Sequence, residues 1–458
     1  MLLPLTGTIY FLGIGGIGMS ALARYFLYRG WKVSGYDKTP TSLTNTLELE
    51  GMNIHYTEDI TCIPEHIDLV VYTPAVPTGH AEYRHFIDQN IPILKRAQLL
   101  GMIAHGYKTL AIAGTHGKTT TSTMAAHLLY QSSIGCQAFL GGISKNYESN
   151  LLLSPNSEYL VAEADEFDRS FLFLHPSIAV ITSVDADHLD IYGDHESLLE
   201  SFRQFTGNLV PNGILIMKKG LSLAVPPCGQ FSCYHYSLEE KADFHADTLA
   251  IIDGLYRFDF HYPGGTMKEM ILGLPGLYNV ENAVAALAVS WVCGATEEEL
   301  RRALRSFSGV RRRFDIRINK ETLVYIDDYA HHPAELTASI TAARSLYKGR
   351  KITGIFQPHL FTRTRDFADA FARSLELLDE IILLPIYPAR EIPIPGVTSE
   401  MLLDKINAAD KKLMQMYDLP GMLDPSGLEV LMTLGAGDID TLAEPIESYL
   451  TGNKSFKS

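Results

Sequence analysis

The segment Gly114-Thr115-His116-Gly117-Lys118-Thr119 sets a lysine and a hydroxyl directly behind two glycines. The run Thr109 to Ala113 before it predicts a strand. A long helix is predicted after it, with Met124, Leu128 and Leu129 on one face. A strand–loop–helix of this kind aims backbone N–H groups and a helix N-terminus at a phosphate. Lys118 would reach the β- and γ-phosphates of a nucleoside triphosphate, and the Thr119 hydroxyl would hold Mg²⁺. The full phosphate-loop pattern is not met, because Ile112 stands where its first glycine belongs. A glycine turn with a chance Lys-Thr is the alternative, and the strand–loop–helix context weighs against it.

A second glycine loop, Gly13-x-Gly15-x-x-Gly18, follows a predicted strand Thr8 to Leu12. It opens a predicted helix from about Ile17 to Tyr28, with Leu22, Tyr25, Phe26 and Arg29 at helical spacing. The spacing matches the dinucleotide fingerprint. Asp37 ends the next strand, Lys32 to Tyr36, where a ribose-binding acid would sit. A diphosphate on this helix N-terminus is expected. NAD remains a rival ligand, and Asp37 reads equally well as a surface acid. Two acidic runs, Glu163 to Asp168 and Asp185 to Asp190, follow the predicted strands Tyr159 to Val161 and Ile178 to Thr182. Carboxylates at strand ends suit Mg²⁺, which takes hard oxygen ligands. Such runs also occur as solvated loops.

These loops need sheets to hold them. Strands alternating with helices predict an α/β chain of parallel, doubly wound sheets in three blocks, with boundaries near 105 and 312. The first block adds strands at Ile67 to Val71 and Ile91 to Leu94. The second continues through a β-rich stretch, Ile214 to Tyr262, and closes with a helix, Val280 to Val292. The third carries strands at Leu323 to Ile326, Ile352 to Phe356, Ile381 to Leu384 and Val430 to Leu434. The 458 residues suffice for two to four domains, and 46% hydrophobic with 20% charged residues is a globular composition. A net charge of −15 argues against nucleic acid as the main partner. No apolar run reaches the length of a membrane span. Met1 to Thr8 lacks the basic stretch of a secretory leader, so the cytoplasm is the expected compartment. Among the cysteines Cys62, Cys136, Cys228, Cys233 and Cys293, only Cys228 and Cys233 lie close, and no second pair completes a zinc site.

Several motifs in order resemble the Mur ligase family, over essentially the whole chain. Gly-Thr-His-Gly-Lys-Thr-Thr-Thr, from Gly114 through Thr120 to Thr121, is similar to that family's ATP loop. Gly13-Ile14-Gly15-Gly16-Ile17-Gly18-Met19-Ser20 resembles the UDP-diphosphate loop of its alanine-adding members. The resemblance implies a Rossmann-like UDP-sugar domain (1–105), a central P-loop-type ATPase domain (106–312) and a Rossmann-like C-terminal amino-acid domain (313–458). It makes Gly13, Gly15, Gly16, Ile17 and Gly18 diphosphate contacts, with Asp37 and Thr73 beside the nucleotide and sugar. It selects Glu163 and His188 as Mg²⁺ contacts beside Thr119. The stretch Glu200 to Gln204 has no lysine, as in the alanine-adding members, so no carbamylated lysine is expected.

In Gly276-Leu277-Tyr278-Asn279-Val280-Glu281-Asn282-Ala283 the resemblance gives Asn279 and Asn282 to adenine, with helix capping as the alternative for one of them. Arg313, in Arg311-Arg312-Arg313-Phe314, is implied at the γ-phosphate, where a solvated basic cluster is the alternative. Asp328 is implied at the ribose, and Tyr329, His331 and His332 at the amino-acid side. His359 and Arg363 would hold the sugar-acid carboxylate or the amino acid. Leu360 departs from the arginine of several members. The implied activity is ATP- and Mg²⁺-dependent ligation of L-alanine to UDP-N-acetylmuramate through an acyl phosphate, in peptidoglycan precursor synthesis. A recycling ligase that adds a tripeptide to the same sugar is the nearest alternative. No nucleic acid or membrane partner is expected, and the chain is expected as a monomer or homodimer. An NAD-dependent oxidoreductase would leave the Lys118 loop idle, and a P-loop binding protein would leave the third block without a task.

Overall fold

The computed structural model describes residues 5–187, 189–225, 231–389 and 391–452. His188 and Cys228 lie outside the described residues. The chain divides into two compact units, one of residues 1–248, 258–271 and 281–307, the other of residues 249–257, 272–280 and 308–458.

The first unit opens with a five-stranded parallel sheet. Its spatial order is Asn53–His55, Lys32–Tyr36, Thr8–Leu12, Leu69–Tyr72, Ile93–Lys95. The winding direction reverses beside Thr8–Leu12, which opens a crevice at that strand's carboxyl end. Two strands begin two residues later than the sequence suggests. At Leu69–Tyr72 the reason is local: the Thr8 amide donates to Asp68 Oδ2 at 2.8 Å, so this segment is still entering the sheet. The helix Ile17–Tyr28 is buried from Met19 to Phe26. Its outer side packs on the strands Gln137–Ser144 and Ser149–Leu152. Asn150 fixes this contact by donating to Ile17 O at 2.6 Å and Ser20 Oγ at 2.8 Å.

A ten-stranded sheet follows, with Lys108–Ala113 between Ile178–Ile181 and Tyr159–Ala164, both parallel to it. Gln137–Ser144 and the antiparallel Ser149–Leu152 extend one side. Ile214–Lys218, Ser232–Ser237, Phe244–Ile252, Leu255–Tyr262 and Gly265–Ile271 extend the other. Thr109 to Ala113 is buried throughout, the unbroken apolar run of a strand covered on both faces. The helix Lys118–Tyr130 is buried from Thr119 to Leu129.

In the second unit a six-stranded sheet has the order Asp315–Asn319, Val324–Asp328, Val430–Leu434, Ile352–Phe356, Glu380–Leu383, Lys411–Leu413. Only the first pair is antiparallel. The three central strands are wholly buried and end in polar loops. The helix expected from Val280 begins at Leu277, where Gly276 turns the chain with φ +99°. Among the described residues no helix is long and apolar enough to cross a membrane.

Candidate active site

The loop after Lys108–Ala113 depends on two glycines. Gly114 has φ +136°, and a Cβ there would overlap the Thr182 hydroxyl. Gly117 has φ +78° and stands at the N-cap of Lys118–Tyr130 without a side-chain cap, so the first-turn amides face outward for an anion. The loop is pinned by the neighbouring strand end. His116 N donates to Ser183 Oγ at 2.7 Å, and Thr115 Oγ1 and Ser183 Oγ are 2.9 Å apart. Thr119 and Thr120 are buried on the helix.

Lys118 Nζ donates to Gly114 O at 2.7 Å and lies 2.8 Å from Glu166 Oε2. Glu166 has no exposed surface. Burial alone would lower the lysine pKa, but Glu166, followed by Asp165 and Glu163, holds it above its ordinary value. Nothing in the acidic run marked Glu166 over its neighbours. Glu163 sits in register with Ile112 at the carboxyl end of Tyr159–Ala164. A Cβ on Gly141 would overlap its carboxylate, so the bare backbone there leaves it its place. Thr119 and Glu163 thus offer hard oxygens from adjacent strand–loop units, a donor set that fits Mg²⁺. Asn282 Oδ1 accepts from Thr121 Oγ1 at 3.2 Å and would lie 2.9 Å from a Cβ on Gly117. Asn279 Nδ2 donates to Pro275 O at 2.6 Å. Both asparagines lie inside the helix from Leu277, so neither is its N-cap.

The first glycine loop has the same outline. Gly13 has φ +84°, and a Cβ there would lie 2.5 Å from Thr73 Cγ2. Gly15 N donates to Asp37 Oδ2 at 2.7 Å, so this carboxylate braces the loop. Gly16 is the N-cap of Ile17–Tyr28, again without a side-chain cap. Arg96 crosses the helix start: a Cβ on Gly18 would lie 2.6 Å from its Nη1. Arg96 also pairs with Asp165 at 3.6 Å. A cavity of about 240 Å³ is lined by Gly16, Ile17, Gly18, Thr73 and Arg96 on one side and by Gly141, Glu163 and Asp165 on the other. Sequence reasoning missed Arg96, because only the sheet order brings it to this loop.

The second unit gathers its own cluster. Two guanidiniums lie over the Tyr329 ring, Arg312 at 5.1 Å and Arg313 at 4.9 Å from its centre. Arg313 is 3.9 Å from Glu335. His331 contacts the His359 ring, centroids 5.8 Å apart, and His359 Nδ1 is 3.5 Å from Arg363 Nη1. Arg363 is buried, whereas Arg365 pairs outward with Asp366. Leu360 caps the helix Phe361–Asp366 with φ +72°. His332 caps the helix Pro333–Leu346 and packs on Phe367. Asp328 is buried; it accepts from Ser339 Oγ at 2.6 Å and Ala330 N at 3.1 Å, and burial pushes its carboxyl up to about 6.

Comparison with known proteins agrees with these parts. Residues 8–108 match the catalytic domain of the Mur ligase family, residues 112–290 the Mur ligase middle domain, and residues 312–422 the Mur ligase glutamate ligase domain. The chain is 52% identical over 447 residues to the UDP-N-acetylmuramate–L-alanine ligase of Parabacteroides distasonis, covering 96% of this chain and 97% of that one. It is 53% identical over 445 residues to the corresponding ligase of Phocaeicola vulgatus, with the same coverage. The solved UDP-N-acetylmuramate-alanine ligase of Thermotoga maritima superposes with a TM-score of 0.84 at 27% identity, over 98% of this chain and 100% of that one. A murein peptide ligase from Psychrobacter arcticus shares the fold, with a TM-score of 0.72 at 21% identity, over 98% of this chain and 100% of that one. With three family domains in order and relatives this similar along almost their full length, the chain belongs to the Mur ligase family.

Proposed function

We propose that the chain joins L-alanine to UDP-N-acetylmuramate with ATP in peptidoglycan precursor synthesis, acting in the cytoplasm as a monomer or homodimer. The observation that carries this reading is the shared cavity. The cavity that opens at Gly16 to Gly18 also reaches Glu163, at the end of the strand beside the Lys118 loop, so a diphosphate held there would have room for its sugar acid near that carboxylate. A carboxylate and an amine do not condense unaided in water. The carboxylate oxygen attacks the γ-phosphorus, a P–O bond breaks and ADP leaves. The alanine amine, having lost its proton, then attacks the acyl carbon, and phosphate departs with its bonding pair. Such transfers depend on positioning and on charge placed where charge develops.

Lys118 and the amides of Gly114 to Thr120 hold the triphosphate, with Asn279 and Asn282 at the adenine and Asp328 at the ribose. When Mg²⁺ is bound, Thr119, Glu163 and His188 hold it, and it neutralises phosphate charge. Arg313 faces the transferred phosphoryl group. Tyr329, His331, His332, His359 and Arg363 orient the alanine and the sugar-acid carboxylate, with Asp37 and Thr73 bordering the UDP-sugar. The three domains are residues 1–105, 106–312 and 313–458. The test is phosphate release from ATP with UDP-N-acetylmuramate, run against single amino acids and the tripeptide. L-alanine is the expected amine. Glycine and serine should fall behind by roughly tenfold to a few hundredfold, since a methyl group supplies little discrimination. Preference for the tripeptide would overturn the reading.

A further inference from the structure

The strands Phe244–Ile252 and Leu255–Tyr262 are neighbours in the ten-stranded sheet. Alternation sorts their side chains: Phe244, Ala246, Phe258 and Phe260 are buried, and the residues between them point to the opposite face. That face carries His245, Asp247 and His261. The two imidazoles stack with centroids 4.4 Å apart and planes 7° from parallel. His261 Nε2 lies 3.0 Å from Asp247 Oδ1. One ligand-capable atom from each residue lies within 4.8 Å of the other two, the one such trio of His, Cys, Asp or Glu among the described residues.

The far sides of the rings set which nitrogen is available. His245 Nδ1 is 2.9 Å from the Ala242 carbonyl oxygen. A carbonyl only accepts, so Nδ1 carries the proton and Nε2 presents a lone pair. His261 Nδ1 is 3.0 Å from the Thr266 hydroxyl. A hydroxyl serves either tautomer: it donates while Nδ1 is bare, and it accepts once Nε2 becomes a ligand and the proton sits on Nδ1. Ring nitrogens donate in the ring plane, so the stacked rings turn about their Cβ–Cγ bonds for both Nε2 lone pairs to meet on one ion.

We propose that His245, Asp247 and His261 form a site for a divalent transition-metal cation of the zinc class, apart from the nucleotide loop. Two imidazoles and one carboxylate suit Zn²⁺ and its neighbours better than Mg²⁺, and three protein ligands leave a fourth position for water. The 3.0 Å separation of His261 Nε2 and Asp247 Oδ1 is close to that of two ligands sharing an ion at roughly 2.0–2.1 Å. Ser232–Ser237, Ile214–Lys218 and Ile178–Ile181 lie between this strand pair and Lys108–Ala113. At about 4.8 Å per strand the site is roughly 20 Å from the phosphate loop. A bound cation joins the two strands across the sheet.

The test uses the full chain and zinc chloride, in competition with a chromophoric chelator. Millimolar Mg²⁺ is present to keep hard-cation sites out of the signal. One zinc per chain is expected with a micromolar or tighter dissociation constant. Asp247→Asn should weaken it about tenfold or more, and the double variant His245→Ala/His261→Ala by about a hundredfold or more. Co²⁺ in place of zinc should give visible d–d bands without the near-ultraviolet thiolate band of a cysteine site. Metal-free circular dichroism of each variant checks its fold. If the double variant does not fold, Asp247→Asn and the cobalt spectrum decide. No zinc bound at about 100 µM metal, a hundredfold above a micromolar dissociation constant, unchanged binding by the folded variants, or a thiolate band would each overturn the site.

Discussion

The two glycine loops of the first unit share a backbone and differ in charge. Each follows a buried strand, turns through a glycine at positive φ and opens a helix that lacks a side-chain cap. The Gly13 loop has no cation of its own. Its brace is the carboxylate of Asp37, and its guanidinium comes from Arg96, four strands later in the chain. The Gly114 loop carries Lys118, kept charged by the buried Glu166. The difference fits the tasks proposed for the two loops. A diphosphate that is only held needs amides and a fixed positive neighbour. A phosphoryl group in transfer needs a charge that meets it as its own charge moves.

The largest expected effect breaks this contrast at its charged end. Lys118→Ala should lower kcat by about a thousandfold or more, as loss of a charge acting in the transition state does. A fall of less than tenfold would make the loop structural. Glu166→Gln tests the partner. It leaves the lysine in a buried site without its counter-charge, a change that costs about 3–5 kcal/mol when a buried pair is broken. Urea unfolding of the nucleotide-free protein reads this loss, and ATP should restore part of it as phosphate replaces the carboxylate. An unchanged midpoint would mean that Glu166 does not hold Lys118.

Asp328 sharpens the comparison, because it is a buried strand-end carboxylate held by a hydroxyl and an amide. With its carboxyl raised to about 6, the native state keeps this proton at pH values where the unfolded chain has released it. Stability therefore declines as pH rises from about 4 to about 6 and levels off above. Asp328→Asn should match the native protein at about pH 4 and gain up to about 3 kcal/mol on it by pH 7. A variant that loses ground over that window would reverse the sign. The smallest effect belongs to the brace of the first loop. Asp37→Asn keeps an acceptor for Gly15 N and should leave the KM for UDP-N-acetylmuramate nearly native, whereas Asp37→Ala should raise it a few-fold, about the worth of one hydrogen bond. Equal, large losses in both would assign the carboxylate a direct ligand contact.

Both loops and most sheet strands were legible because a glycine turn between an apolar run and a helical pattern is local information. What stayed hidden depends on which elements become neighbours. Glu166 is one of four acids in six residues, and only the folded loop buries it against Lys118. Arg96 reaches Gly18 because Ile93–Lys95 ends beside Leu69–Tyr72, a pairing that no periodicity encodes. Asn150 sits on a strand pair that lies outside the alternating pattern of the blocks, yet it anchors the first turn of Ile17–Tyr28. In the second unit, the contacts of Arg312 and Arg313 with the Tyr329 ring join residues that flank an antiparallel strand pair, and only that pairing brings them together.

The most direct test of two loops with two ligands is a crossed calorimetric titration. ATP with Mg²⁺ and UDP-N-acetylmuramate are each titrated into Lys118→Ala and Arg96→Ala. Lys118→Ala should weaken ATP and leave the UDP-sugar within about twofold of native, while Arg96→Ala should weaken the UDP-sugar about tenfold and spare ATP. If each variant weakened both nucleotides alike, the two loops would not be separate sites and the account would fail.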